Sequence, residues 1–182
     1  VHTWTAINET DVKKAAKISF GKASVPKYRY DKAKMIVSVD ADFLGSYLNS
    51  TEATKLFEVG RNPEKDMSRL VSFQSVPSST SFSSDDNYSI KPSMQLPLVL
   101  GMIHELAFVQ NRANGSAAAL KLTKEYGNVY ESIGMTHEEF GKIVKKLADS
   151  KGESLVVAGG LQTKTQDSLS LQIAVNYLND LL

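Results

Sequence analysis

Two short stretches carry side chains whose types and spacing could do chemistry. In the first, Asp40-Ala41-Asp42-Phe43-Leu44-Gly45, two carboxylates stand two residues apart directly after the apolar run Met35-Ile36-Val37-Ser38-Val39. A nearly continuous apolar run of that length, bounded by charge, reads as a central parallel strand covered on both faces. Ligands of such a sheet sit beyond the carboxyl ends of its strands. Asp40 and Asp42 could therefore hold a metal or serve as acid and base, or Asp42 could cap the following turn while Asp40 bonds a neighbouring loop. In the second stretch, Gly159-Gly160 closes the run Ser154-Leu155-Val156-Val157-Ala158, with Thr163 and Thr165 close behind. Those residues could cradle a phosphate at a helix start, or form an ordinary strand-to-helix turn. Neither a Walker A pattern nor G-x-G-x-x-G is present.

Other candidates fail on spacing. Asp85-Asp86-Asn87 resembles the opening of a calcium loop, but Lys91 and Pro92 stand where further oxygen ligands are needed, so it reads as a solvated loop. Ser72 to Ser84 holds eight serines and threonines, yet no G-x-S-x-G elbow appears and no histidine is paired with it, so it reads as a long surface loop or lid. His104 falls within an apolar helix. Trp4, Tyr28 and Tyr30 are expected to pack against the fold, and Lys13-Lys14-Lys17 and Lys142-Lys145-Lys146 to be solvated helix faces.

Composition removes whole classes. The 182 residues contain no cysteine, which excludes thiolate catalysis, disulfides, cysteine-ligated zinc and any ordinary iron–sulfur cluster within this chain. His2, His104 and His137 are too scattered for a histidine-rich metal centre. A net charge of +1, from 21 basic and 20 acidic residues, lacks the basic excess of a general nucleic-acid binder.

The elements that must position these residues follow from the hydrophobic period, which switches between short strand-like runs and longer helical ones. A strand is expected over His2 to Ile7. Asn8 or Thr10 then caps a helix with Val12, Ala15, Ala16 and Ile18 on its apolar face, and Gly21 stops it. After the Met35–Val39 strand, Thr51 is expected to cap a helix over 52–60 that Asn62-Pro63 ends, and Leu70 to Phe73 is a further strand. Pro92 favours a helix start, with an apolar helix from Met94 to Val109. One or two short helices are expected within 111–134. Thr136 and Glu139 have capping-box spacing and open a helix through Phe140, Ile143, Val144 and Leu147. A last helix is expected from about Thr165 to Leu181, with Leu169, Ile173, Ala174, Tyr177, Leu178 and Leu181 as its stripe.

The length suits a single α/β domain over 1–182, a three-layer, mostly parallel sheet flanked by helices. No stretch approaches the roughly 20 apolar residues that span a bilayer, and no signal-like segment opens the chain. Since Val1 is not Met, the expectation is a domain excised from a longer protein.

The run from Tyr30 to Gly45, with its Asp-Ala-Asp-Phe-Leu-Gly ending, resembles a segment of the molybdopterin oxidoreductase-like iron–sulfur subunit of alternative complex III, a bacterial quinol:acceptor oxidoreductase. Met67-Ser68-Arg69-Leu70 through Ser79-Thr80, Asp85 to Pro92, Leu155 to Gly159 and the closing helix around Ile173 to Leu178 are similar to later segments of that family, in the same order. More distantly, the pattern is similar to the α/β domain of formate dehydrogenase and dimethyl sulfoxide reductase. Those molybdenum enzymes carry pterin-recognition turns where this chain has Asp40-Ala41-Asp42, Gln74-Ser75-Val76 and Pro92-Ser93-Met94-Gln95. The resemblance implies a scaffold domain that is not itself catalytic, has lost its molybdopterin, and belongs to a subunit whose iron–sulfur clusters lie elsewhere. It further implies partners among the other domains and subunits of a membrane respiratory complex, at the periplasmic face. An active pterin guanine dinucleotide domain and a free-standing nucleotide or small-ligand module are the alternatives. If a pterin or nucleotide binds, Asp40, Asp42, Gly45, Gly159, Gly160 and Thr163 are the residues expected to hold it.

Overall fold

The computed structural model describes residues 9–64, 66–112 and 115–182. The strand expected at 2–7, with His2 and Trp4, lies outside them. Four strands, β1 (Met35–Val39), β2 (Arg69–Gln74), β3 (Asp86–Ser89) and β4 (Ser154–Ala158), form one parallel sheet in the order β3-β2-β1-β4. The chain steps outward from β1 to β2 and β3, then returns to place β4 on the other side of β1. The sheet's topological switch point is therefore the gap between the carboxyl ends of β1 and β4.

Every residue of β1 is buried, which is why its sequence is apolar without alternation. Met35, Val37 and Val39 face one layer, made by α4 (Gln95–His104), α7 (His137–Asp149) and α8 (Ser168–Leu181). Ile36 faces the other, where α2 (Ser50–Gly60) supplies Ala53 and Phe57. There Tyr30 stacks on Phe43 at 4.4 Å between ring centres, and Phe43 meets Phe57 edge-on at 5.6 Å. Burying a ring such as Phe43 contributes about 2–3 kcal/mol. The three-layer α/β fold expected from the sequence is the one found.

The remaining helices are α1 (Thr10–Phe20), which packs on α8, the single turn α3 (Ser79–Phe82), α5 (Ala117–Leu122) and α6 (Val129–Ser132). Gly21 ends α1 in the left-handed conformation (φ 75°), as its position suggests, but Ile18 lies outside the buried stripe and is exposed. The Thr136/Glu139 capping box opens α7 as expected. The cap of α2 is Asn49 rather than Thr51, since the helix starts at Ser50. The last helix starts at Ser168, after a 3₁₀ turn over Leu161–Thr163, and its buried stripe is Leu171, Ala174, Val175, Leu178 and Leu181.

Three expectations are overturned. Ser72 to Ser84 is not a surface loop. Its first three residues belong to β2, and Ser78 and Ser81 form a reciprocal capping box that opens α3, burying Thr80 and Ser81. Hydroxyls that look hydrophilic in sequence satisfy the backbone locally and so can be buried. Asp85-Asp86-Asn87 is not a solvated loop either: Asp86 begins edge strand β3. Asp85 takes two hydrogen bonds from Arg61 at 2.8 and 3.0 Å, and Asp86 pairs with Arg69. Burial raises the Asp85 carboxyl, but Arg61, the Leu70 amide and Arg69 outweigh it and hold the group below its ordinary range. Finally, Pro92–Val109 is one continuous helical segment of 18 residues, apolar enough by composition to cross a membrane. Its apolar side chains Leu98, Val99, Met102, Ile103 and Leu106 are buried in the domain core, which accounts for its composition.

The β4 edge is closed by a side chain. Asn179 of α8 accepts from the Val156 amide at 2.8 Å and donates to the Val156 carbonyl at 2.7 Å, occupying the backbone groups that another strand would use.

Candidate functional site

The switch-point crevice lies where sequence reasoning places a ligand, so the state of its polar groups decides what it can do. Asp40, at φ 51°, turns the chain out of β1 and is 8% exposed. Its carboxylate accepts from the Ser75 amide at 2.7 Å, from the Ser75 hydroxyl at 3.0 Å and from Gln95 Nε2 at 2.5 Å. Asp42 accepts from the amide and hydroxyl of Thr80 at 3.0 and 3.1 Å, and from the amide and hydroxyl of Ser46 at 3.0 and 3.2 Å. Thr80 Oγ1 also accepts from the Leu44 amide at 3.0 Å. The two carboxylates thus diverge. Asp40 ties β1 to the end of β2 and the start of α4, and Asp42 ties the β1 turn to α3. Each holds three or four donors of its own chain, close to the capacity of a carboxylate.

Gly45 belongs to the Asp42 turn, because a Cβ there would lie 2.2 Å from Asp42 Oδ2. Gly159, Gly160 and Thr163 line the crevice together, and of the three Gly160 meets Asp40. Gly160 has φ 97°, a Cβ on it would stand 3.0 Å from the Asp40 carbonyl, and Thr163 Oγ1 donates to the Gly160 carbonyl at 3.0 Å. Gly159 is required by a residue the sequence did not flag: a Cβ there would lie 2.1 Å from the ring of Tyr47. Tyr47 is buried over Gly159 and donates its hydroxyl to the Ala158 carbonyl at 3.1 Å, which also accepts from Gln172 Nε2 at 2.8 Å.

The space left is a cavity of about 190 Å³, below the roughly 300–1,000 Å³ usual for small-molecule sites. Its charged lining is Glu9, Asp11 and Lys164. Lys164 Nζ stands 3.6 Å from Asp11, and Ser168 donates to the same carboxylate, so the one cation facing the cavity among the described residues is already neutralised. Beneath it lies a tyrosine cluster. Burial pushes Tyr28 up to about 12, with the Tyr47 hydrogen bond offsetting it in part, and burial likewise raises Tyr30 and Tyr47.

Chemically, this arrangement fastens a loop to a sheet. Among the described residues no group of three or more acidic or histidine side chains could hold a metal ion. A phosphate-bearing ligand would meet two carboxylates at the mouth and a phenol ring across the turn. The residues named from the sequence lie at the right end of the sheet, but their partners Ser75, Thr80, Gln95 and Tyr47 were missed. A glycine pair at a strand end and an isolated tyrosine were the only signals for the Tyr47–Gly159 contact, and neither specifies the other.

No protein family matches the chain, and no curated protein sequence does. Solved structures do match. Acetylene hydratase from Pelobacter acetylenicus is similar with a TM-score of 0.65 and 16% identity over 93% of this chain. The matched part is 24% of that protein, so the chain spans about a quarter of its length. At that identity the likeness establishes the fold alone, the three-layer α/β architecture already described.

Proposed function

We propose that this chain is a structural α/β domain of a molybdopterin oxidoreductase-like subunit, one that keeps the domain architecture without the pterin site. The observation that carries the reading is the wiring of the switch-point crevice. Asp40 and Asp42 are filled by donors of their own chain, Tyr47 lies across Gly159, and the cavity mouth is acidic. These residues do not fit a dinucleotide, whose pyrophosphate needs free amides and positive charge.

On this reading the subunit is the iron–sulfur subunit of an alternative complex III-like quinol oxidoreductase, at the periplasmic face of a bacterial membrane. Its clusters and electron transfer belong to a cysteine-bearing part elsewhere, because this chain has no cysteine. The partners are the neighbouring domains and subunits of that complex. An apolar groove of about 990 Å³ between α1, α4 and α8, bordered by exposed Ile18, Phe20 and Leu122, supports such packing, since large exposed apolar patches mark contact surfaces.

Two measurements test the reading. Metal and pterin analysis of the purified full-length subunit should find iron without molybdenum or tungsten, and either of the latter at one per subunit sinks it. Thermal unfolding of the 182-residue chain should be unmoved by guanosine diphosphate. A true site filled at one hundred times its dissociation constant would add about 2.7 kcal/mol, a rise of roughly 5–11 °C for a domain of this size.

A further inference from the structure

We propose a second site that the fold likeness does not suggest: a cleft between the end of the α4 segment and α7 that binds a small organic anion carrying a hydroxyl group. At Glu105 the helix changes from α to π winding for the five residues Glu105–Val109, with the Gln110 amide donating to the Glu105 carbonyl at 2.9 Å. Single π turns are rare and concentrate at functional sites. Here the turn holds the Glu105 carboxylate on the floor of a cleft of about 450 Å³, with the residue 3% exposed.

The floor has more acceptors than donors. Glu105 Oε2 lies 3.1 Å from His137 Nε2, and Glu105 Oε1 accepts from Gln110 Nε2 at 3.3 Å. Gln110 Nε2 also donates to the Gly141 carbonyl at 3.0 Å, while Gln110 Oε1 is buried without a hydrogen-bond partner among the described residues. An acceptor left in that state costs about 1–3 kcal/mol. Gly141 keeps the floor open, since a Cβ there would come within 3.2 Å of Glu105 Oε1. A glycine inside a helix is itself unfavourable by about 0.5–1 kcal/mol relative to alanine.

The rim is basic: Arg112, His137, Lys142 and Lys145, with Glu138 the one rim acid. Arg112 pairs with Asp149 and Lys142 with Glu138 at 2.7 Å, whereas Lys145 holds no ion pair among the described residues. A carboxylate or phosphate at Lys145, with a hydroxyl donated to the Glu105 carboxylate, satisfies both halves of the cleft.

The test is an NMR titration of the 182-residue chain with glycerol 3-phosphate, inorganic phosphate and glycerol, following the ring signals of His137. Glycerol 3-phosphate should shift them saturably with a dissociation constant of about 1 mM or tighter. Lys145→Ala, an exposed change that leaves the core intact, should weaken binding about fivefold. Phosphate and glycerol alone should each bind more weakly still. A flat titration, equal affinity for inorganic phosphate, or an unchanged constant in Lys145→Ala would each overturn the proposal.

Discussion

The crevice between β1 and β4 and the cleft beneath Glu105 contain the same kinds of side chain, and their carboxylates differ in how many donors they hold. In the crevice, seven donors of the chain meet the carboxylates of Asp40 and Asp42, and the Tyr47 ring lies across Gly159. In the cleft, Glu105 is buried with two neighbours; a glutamine oxygen without a partner among the described residues occurs in both regions, Gln95 Oε1 in the crevice and Gln110 Oε1 in the cleft. Polar residues at the expected end of a sheet are thus not evidence of a site until their partners have been counted. A saturated carboxylate is a fastener, and one with spare capacity is where a ligand can compete.

If the crevice is a fastener, breaking it should cost stability. The largest effect is expected for Asp40→Ala, which leaves the Ser75 amide without its acceptor and buried Gln95 Nε2 with the Gln162 carbonyl at 3.2 Å, and should lower unfolding free energy by about 3 kcal/mol in urea titrations. A loss under about 1 kcal/mol would mean that Asp40 is held for something other than structure.

Alkaline pH is the next probe, because Tyr28, Tyr30 and Tyr47 cluster on the crevice side. The folded state holds Tyr28 at about 12, above its ordinary value of about 10, so the unfolded chain loses that proton first. The stabilisation is complete below about pH 10 and is lost as pH rises through 12, at about 1.4 kcal/mol per unit. Tyr30 and Tyr47 shift in the same direction and add to the decline. Tyr28→Phe should flatten this alkaline limb, and an unchanged slope would contradict the assignment.

A smaller effect should appear in a double-mutant cycle. Gly159→Ala places a methyl group against the Tyr47 ring, and Tyr47→Ala removes that ring. The two losses should fall short of additivity by about 1–2 kcal/mol in denaturation midpoints, whereas strict additivity would mean the ring does not fill the crevice. The smallest effect belongs to the other region: Lys145→Ala should change stability by no more than about 0.5 kcal/mol. The crevice variants would then move stability without ligand, and the cleft variant ligand affinity without stability.

Much of the frame was legible because each strand and helix announces its own burial. Met35–Val39 and Ser154–Ala158 are apolar but for one serine each, since both faces of a parallel strand are covered. The Thr136 capping box is a contact between residues three apart, so its sequence suffices. What failed depended on distant partners. Edge strand β3 reads as polar because only its pairing with β2 and the arginines Arg61 and Arg69 makes Asp85 and Asp86 structural. The serine-rich segment hid α3 because Thr80 is buried by Asp42, 38 residues earlier.

The sequence by itself determined the layers, the parallel strands, the end of the sheet where Asp40 and Gly159 stand, and the absence of any thiolate chemistry in the chain. Those properties follow from local period, composition and the geometry of strand ends. Tertiary structure alone decided that the crevice is closed and the cleft open, since both depend on which donors reach which acceptors. Gln95 lies 55 residues from Asp40 and His137 lies 32 from Glu105, separations over which no spacing rule operates.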